Sequence, residues 1–365
     1  MRKLDLSCMA AGRLSLDTYN CVMFPKLSYK NKEESLDLQG SNVDALVHTY
    51  KLHEKLFLEL KSAFDNAGFQ VSVVDRTQYN SEAIDWADMV VTAGGDGTFL
   101  MGASEIKSRD KPLVGFNTNP HKSSGYLCLP CSVNYGAAAN LIRKKKFQWK
   151  FRTRIEVKLT GQFSKEPELI GIHLPKKEQS PSPSDQSVPI TSQILPSRAL
   201  NEIFLAERRP SQVTNVIIDV PGVPKTHVKC SGVCVSTGTG STSWHMSMNR
   251  ISLSKVHRLF KLAKVDFTPE DLVDITSEFN DSLQFPFDDS RMFYTLRDLI
   301  YSPITPDPSG LPAEAFTPSI TIVSKCIAAT IVIDGTRAWS FNDGTIAELV
   351  TKPEIALRTI HLPNI

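Results

Sequence analysis

One pentapeptide limits the fold more than any other stretch of the chain: Gly94-Gly95-Asp96-Gly97-Thr98, set between an apolar run and a helical pattern. The run before it, Met89-Val90-Val91-Thr92-Ala93, reads as a buried strand, and the residues through Ile106 read as a helix. A strand, a tight glycine turn and a helix make the opening half of a unit whose next strand lies parallel to the first. Glycines let the backbone turn sharply and let a ligand approach with no Cβ in the way. The free amides and positive dipole end of the helix then attract phosphate oxygens. Asp96 works against that attraction, so its place in the loop points to chemistry. It can take a proton from a hydroxyl that attacks a phosphate, or help to hold a metal. The bland alternative is an ordinary Asp-Gly turn. No Gly-x-x-x-x-Gly-Lys-Ser/Thr run occurs, which excludes a P-loop NTPase.

Alternation of strand and helix extends on both sides. Val43, Leu46, Val47, Tyr50, Phe57, Leu60 and Phe64 recur at steps of three and four, predicting a helix from Ser41, its N-cap, to Asn66, with Gly68 ending it. Strands are expected at 69–75 and 112–117, and helices at 82–88 and 135–145. A first strand should precede Ser41, and only Cys21–Phe24 offers itself. Residues 41–149 therefore form an α/β, Rossmann-like domain with a parallel sheet. From residue 150 the texture changes. Phe151, Thr153, Ile155, Val157 and Leu159 alternate with Arg152, Arg154, Glu156 and Lys158, one half-buried antiparallel strand with the charged residues on its wet face. Further strands are expected at 203–206, 212–220, 227–236, 292–297, 320–323 and 329–333, with helices at 252–265 and 269–281. Residues 150–340 thus make a mostly β, sandwich-like domain, and 341–365 return to the first one. Residues 164–198 hold six prolines and no aromatic residue, so they are expected to form a mobile excursion; 303–318 form a second loop.

Composition narrows the classes. With 41 Lys+Arg against 39 Asp+Glu, the net charge of +2 gives no bulk field for nucleic acid. The apolar stretch Ile320–Ile333 is interrupted by Lys325 and too short to span a bilayer, so no membrane partner is expected. Seven cysteines, an odd number, suggest reduced thiols. Cys128-Leu-Pro-Cys131 and Cys230–Cys234 read better as small residues on strands than as halves of a zinc site, so no metal ligands are assigned. Residues 1–40, with Arg2, Lys3, Arg13, Lys26 and Lys30 against Asp5 and Asp17, mildly suit a targeting segment.

Two further motifs carry chemistry. Ser236-Thr237-Gly238-Thr239-Gly240-Ser241-Thr242-Ser243-Trp244 follows the strand Val233–Val235. It fails as a dinucleotide fingerprint because Ser243 stands where the third glycine belongs, yet it suits a polar cradle beside a stacking ring. Asn201-Glu202 opens the apolar run Ile203-Phe204-Leu205-Ala206, and such a pair can hold a ribose diol. A flexible Ser/Thr loop and a polar strand end are the plain alternatives. In order and spacing these motifs, with Asn117-Thr118-Asn119, Gly125-Tyr126-Leu127 and Phe341-Asn-Asp-Gly344, resemble the NAD kinase family, most nearly its mitochondrial branch. The resemblance covers roughly residues 41 to 362.

That resemblance implies the two-domain fold, ATP with Mg2+ as donor, NAD as acceptor, a homodimer and a mitochondrial site. It makes Asp96 the base for the adenosine 2′-hydroxyl of NAD, with Gly94, Gly95, Gly97 and Thr98 meeting phosphates and Asn117 and Tyr126 near the nucleotide. It sets Asn201 and Glu202 on substrate ribose and nicotinamide-side groups, and Thr239, Gly240, Ser241, Thr242, Ser243 and Trp244 around the adenine. Lys229-Cys-Ser-Gly232 departs from the family's Arg-Gly-Asp-Gly, leaving an acid contact missing at Ser231, and Trp244 replaces a tyrosine. Diacylglycerol and sphingosine kinases and phosphofructokinases share a similar Gly-Gly-Asp-Gly loop, but not the second glycine run. A non-catalytic NAD or NADP sensor is the remaining alternative, and it gives Asp96 no purpose.

Overall fold

A seven-residue apolar strand lies second in the first sheet, between two strands that follow it much later in the chain. In the computed structural model, which describes residues 19–25, 43–75, 78–118, 120, 123–130, 132–170, 190–300 and 310–363, β1 (Tyr19–Pro25) runs parallel to β2 (Phe69–Val73) and β3 (Met89–Gly94). β4 (Leu113–Asn117) adds to β3, giving the order β2-β1-β3-β4, all parallel. The expected first strand is therefore present and slightly longer than Cys21–Phe24. The helices are α1 (Val43–Asn66), α2 (Ser81–Trp86), α3 (Asp96–Glu105) and α4 (Tyr135–Arg143). Both faces of the sheet are covered, as parallel strands require. Met23, Val91 and Phe116 pack with Phe64 and Ile142 on one face; Val22, Phe24 and Val90 pack with Phe99 and Ile106 on the other. The targeting expectation for 1–18 and 26–40, and the Ser41 cap, lie outside the described residues.

β5 (Gln148–Arg152) and β6 (Ile155–Gly161) correct the single strand expected through 151–159. The chain breaks at Thr153-Arg154, and Arg154 is only 1% exposed, so the arginines are not a wet face. Beyond this break come β7 (Glu168–Leu169), β8 (Thr191–Ile194), β9 (Glu202–Glu207), β10 (Thr214–Asp219), β11 (Thr226–Cys230) and β12 (Gly232–Ser236). The helices α5 (Trp244–Asn249), α6 (Leu253–Ala263) and α7 (Pro269–Ser282) follow. Then come β13 (Met292–Arg297), β14 (Glu314–Thr317), β15 (Ser319–Ser324), β16 (Ala329–Ile333), β17 (Arg337–Ser340) and β18 (Ile346–Thr351). They form two antiparallel sheets, ordered β11-β10-β15-β18-β6-β8 and β14-β13-β12-β9-β16-β17-β7. Val157, Ile218 and Leu349 from one sheet meet Leu205, Val235 and Trp339 from the other in a shared core. Burying each such side chain contributes about 1.5–3 kcal/mol.

Four sequence expectations change. The run 227–236 divides between the sheets at Ser231, because Gly232 has φ +158° and redirects the chain. The excursion at 164–198 ends in β8, which pairs with β6, and in buried Leu195; residues 171–189 lie outside the described set. The loop 303–318 likewise ends in β14, paired with β13, with 301–309 outside that set. The β domain runs past residue 340, because β18 pairs with β15 and β6. After it, β19 (Leu357–His361) pairs with β5, and Ile360 and Leu362 join the α/β core.

Candidate active site

Asp96 is the first residue of α3, at the end of the fully buried strand β3. Its carboxylate is fixed by main-chain donors: the Leu127 amide donates to Oδ1 at 2.9 Å and the Tyr126 amide to Oδ2 at 3.2 Å. Ser123 Oγ accepts from the Asp96 amide at 3.1 Å, and Asn117 Nδ2 donates to the Ser123 carbonyl at 3.1 Å. Asn117 and Tyr126 thus belong to one assembly with Asp96, and Asn117 acts by holding the 123–127 turn. Tyr126 is 68% exposed, its ring free over the loop. A Cβ at Gly95 would come within 2.4 Å of the Ser123 side chain, whereas one at Gly97 would meet nothing within 4 Å. Gly95 is therefore a packing requirement. Gly97 leaves open space beside the amides of the helix start, where an anion is favoured.

The second cluster gathers the other two motifs. Asn201 Nδ2 donates to Ser243 Oγ at 3.2 Å, and Thr237 Oγ1 donates to the Leu200 carbonyl at 2.5 Å. A Cβ at Gly240 would lie 2.2 Å from the Asn201 carbonyl oxygen, so only glycine permits this approach. Ser241 Oγ closes the turn, donating to Gly238 O and accepting from the Phe285 amide, which makes it a brace. Residues Gly240–Thr242 form one 3-10 turn leading into α5. Trp244 packs against Phe204 with centroids 4.2 Å apart and rings tilted by 32°, and borders a cavity of about 500 Å³ with Asn249, Thr295, Arg297 and Glu314. The departure at Ser231 lies beyond the opposite end of β12 from Thr237, about 20 Å away along an extended chain at 3.3 Å per residue.

Beneath Asn201 and Glu202 lies a residue that sequence reasoning missed. Asp334, buried at the turn after β16, accepts from the amides of Leu200 (2.8 Å), Asn201 (2.8 Å) and Glu202 (3.1 Å). Burial pushes its carboxyl up to about 6, against the pull of those amides and of Arg154. Glu202 is pushed up to about 8, first by burial and then by Asp334. Its Oε2 and the Asn201 Oδ1 are buried without hydrogen-bond partners, two acceptor sites held ready at one edge. In the sequence, Ile333-Asp334-Gly335 reads only as a turn.

Asp96 makes no hydrogen bond to Asn201 or Glu202; two arginines join their neighbourhoods. Arg152 Nη1 donates to Thr239 Oγ1 at 3.4 Å, and the same side chain lines a cavity of about 270 Å³ with Tyr126, Leu127 and Lys150. Arg154 donates to the carbonyls of Ile106 (2.6 Å) and Ile355 (2.5 Å), at the C-terminal end of α3 and in the turn before β19. Burial, and then Arg198 beside it, push the Arg154 guanidinium down to about 9. Arg198 also donates to the Lys107 carbonyl, and Arg337 pairs with Glu105. Cations at a helix C-terminus complement its dipole. Among the described residues, no three His, Cys, Asp or Glu side chains converge on a metal position.

A proton acceptor beside an anion-attracting helix start, with a second polar cluster joined to it through Arg152, suits phosphoryl transfer to a hydroxyl. Residues 33–143 match the family model of the ATP-NAD kinase N-terminal domain. Over 358 residues the chain is 31% identical to the human protein "NAD kinase 2, mitochondrial", spanning 93% of this chain and 80% of that one. A protein of the same name from Xenopus tropicalis is 30% identical, covering 93% and 86%. The chain belongs to the NAD kinase family. Its fold is that of a crystal structure of an NAD kinase from Archaeoglobus fulgidus in complex with ATP (TM-score 0.54, 16% identity, 94% of both chains). Yeast NADH kinase complexed with NADH is similar in fold too (TM-score 0.56, 14% identity, 95% and 85%).

Proposed function

We propose that this chain is an NAD kinase, transferring the γ-phosphoryl group of ATP to the 2′-hydroxyl of the adenosine ribose of NAD. Family membership supports the reaction. The observation that carries the chemistry is the carboxylate of Asp96, fixed by two main-chain amides at the start of α3 beside open space at Gly97. In this reading Asp96 takes the hydroxyl proton as the new O–P bond forms. The bond between the γ-phosphorus and the bridging oxygen breaks, and its electron pair leaves with ADP. The amides of Gly94 to Thr98 receive phosphate oxygens. Asn201 Oδ1 and Glu202 Oε2 receive ribose and nicotinamide-side donors, while the segment from Thr239 to Trp244 surrounds the adenine. Below about pH 8 Glu202 holds its proton and can also donate.

The same proposal has Mg2+ arriving with ATP, two copies of the chain assembling, and a mitochondrial location, which the names of the relatives support. Among the described residues no helix is long and apolar enough to cross a membrane. The deciding assay mixes purified protein, Mg-ATP and NAD and quantifies NADP and ADP. NADP equal to ADP is expected. ADP without NADP, or a phosphorylated diacylglycerol or long-chain base in its place, would sink the proposal.

A further inference from the structure

We propose that Arg152 is a further catalytic residue, whose guanidinium grips the phosphoryl group as it passes from donor to acceptor. The identity of donor and acceptor rests on the NAD kinase reading; the grip itself rests on Arg152's surroundings. Arg152 ends β5, the strand of the ribbon that ties the chain's last segment to the first domain. From there it reaches the rim of both glycine-rich motifs. It lines one cavity with Gly115, Tyr126 and Leu127, the last two being the residues whose amides hold Asp96, and it donates to Thr239 at 3.4 Å. Its plane lies over the Phe287 ring at 5.1 Å, which limits how far the side chain can swing.

What sets Arg152 apart is how little of its hydrogen-bonding capacity is used. A guanidinium carries five N–H donors in a rigid fork. Arg154 donates to two main-chain carbonyls with Nη2 left over, Arg337 to Glu105 and Ser197, and Arg358 to Asp110 with Nε left over. Arg152 makes one long hydrogen bond, and its Nε is buried with no partner. Among the described residues no carboxylate lies within ion-pair distance of it. Asp96 acts on it only as a more distant charge, and burial lowers its affinity for its own proton. The Cys128 thiol nearby is pushed up to about 12 by burial, so it stays neutral and offers no counter-charge. Lys150, over the same Phe287 ring at 5.3 Å, adds a second positive charge to the cavity wall.

A cation withdrawn from water without a paired anion is unfavourable unless something supplies the anion. A phosphate does so with two parallel N–H···O bonds. The position selects which phosphate. Under the kinase reading, the Asp96 loop and the Thr239 turn hold donor and acceptor, and only the travelling phosphoryl lies between them. In the loose transition state of such transfers, charge spreads over three equatorial oxygens, and a planar fork fits two of them.

The test uses the full chain and three variants, Arg152→Met, Arg152→Lys and Arg152→Ala, each with its thermal midpoint recorded. Arg152→Met should lower kcat by about 10²–10³ while KM for NAD stays within about threefold, the pattern of an interaction made in the transition state. Arg152→Lys should recover part of the loss, and added guanidinium ion should partly restore Arg152→Ala. Affinity for inorganic tripolyphosphate, measured by calorimetry, should fall about tenfold or more in Arg152→Met. A kcat within threefold of the parent with unchanged tripolyphosphate affinity overturns the inference. So does a lowered thermal midpoint with both KM values raised in parallel and no rescue, which marks a purely structural bridge. If the parent protein makes no NADP, the NAD reading fails, and the tripolyphosphate titration still decides whether Arg152 grips a phosphoryl chain.

Discussion

The Asp96 turn and the Asn201–Glu202 edge hold their carboxylates in opposite ways. Asp96 is partly exposed, yet both oxygens are pinned by the amides of Tyr126 and Leu127. Glu202 is 9% exposed, and one of its oxygens is left with nothing to bind. The acid expected to move a proton is fixed in direction and open to the cleft. The acid expected to recognise a substrate is buried beside Asp334 and Asn201, with an unfilled position waiting. A pinned acid should matter to rate, and a sealed one to affinity and to the stability of the empty protein.

Asp96→Asn gives the largest expected effect. Turnover should fall by about 10²–10⁴, the usual range for losing a general base, with NAD affinity nearly unchanged. The geometry adds a control. Asparagine keeps one acceptor oxygen and turns an NH₂ group toward an amide, so the 123–127 turn loses about 1 kcal/mol of support. A drop in thermal midpoint beyond that scale, with turnover falling only in proportion, would remove the contrast between the two acids.

The Glu202 substitutions come next. Glu202→Ala should weaken NAD binding by about one to two powers of ten, with Mg-ATP affinity far less affected, since leaving a buried substrate donor without its acceptor costs about 1–3 kcal/mol. Its pH behaviour sharpens the comparison. The carboxyl binds its proton more tightly folded, at about 8, than at its ordinary value of 4.5. Its contribution to stability is therefore fully present below pH 4.5 and is lost as pH rises through about 8, by up to about 1.4 kcal/mol per pH unit. Thermal midpoints of the ligand-free protein between pH 5 and 8.5 should slope downward, and Glu202→Gln should flatten that slope. An unchanged slope in Glu202→Gln would leave the seal at this edge without energetic consequence.

Gly97→Ala should have the smallest effect. Nothing lies within 4 Å of the added methyl, and alanine suits a helix start better than glycine, so the thermal midpoint should hold or rise slightly. If phosphates approach this turn, KM for ATP should rise about tenfold while KM for NAD stays put. Equal kinetics for both substrates would mean the space at Gly97 is not used.

The Asp96 turn was legible because its signal is local: an apolar strand, closely spaced glycines and a helix within one short stretch. The edge around Glu202 was legible only as a polar pair, since its support arrives from residue 334. A lone aspartate before a glycine looks like any turn, and nothing in the chain's order shows it reaching back beneath three amides. The arginines mislead for a related reason. Alternation at 151–159 puts Arg152 and Arg154 on a wet face, but the break at Thr153 turns both inward, where domain packing decides their exposure. β1 was similarly hard to see: seven residues far from their partners, joined to β2 and β3 only by the closed sheet.

The helix α3 carries Asp96 at its first residue, while Arg154, Arg198 and Arg337 of the β domain hold its other end through Ile106, Lys107 and Glu105. Ten residues make a rod about 15 Å long, so the arginine contacts have a lever on the Asp96 tip, which the Tyr126 and Leu127 amides also hold. A rotation of about 4° at the grip sweeps the tip by about 1 Å, enough to cost roughly a hundredfold in rate where reacting atoms must align. Aim at the tip is thus governed by contacts a full helix length away. Changes around Lys107 or the buried Ile355, at the far end of α3 from Asp96, can detune the enzyme without loosening its hold on either substrate.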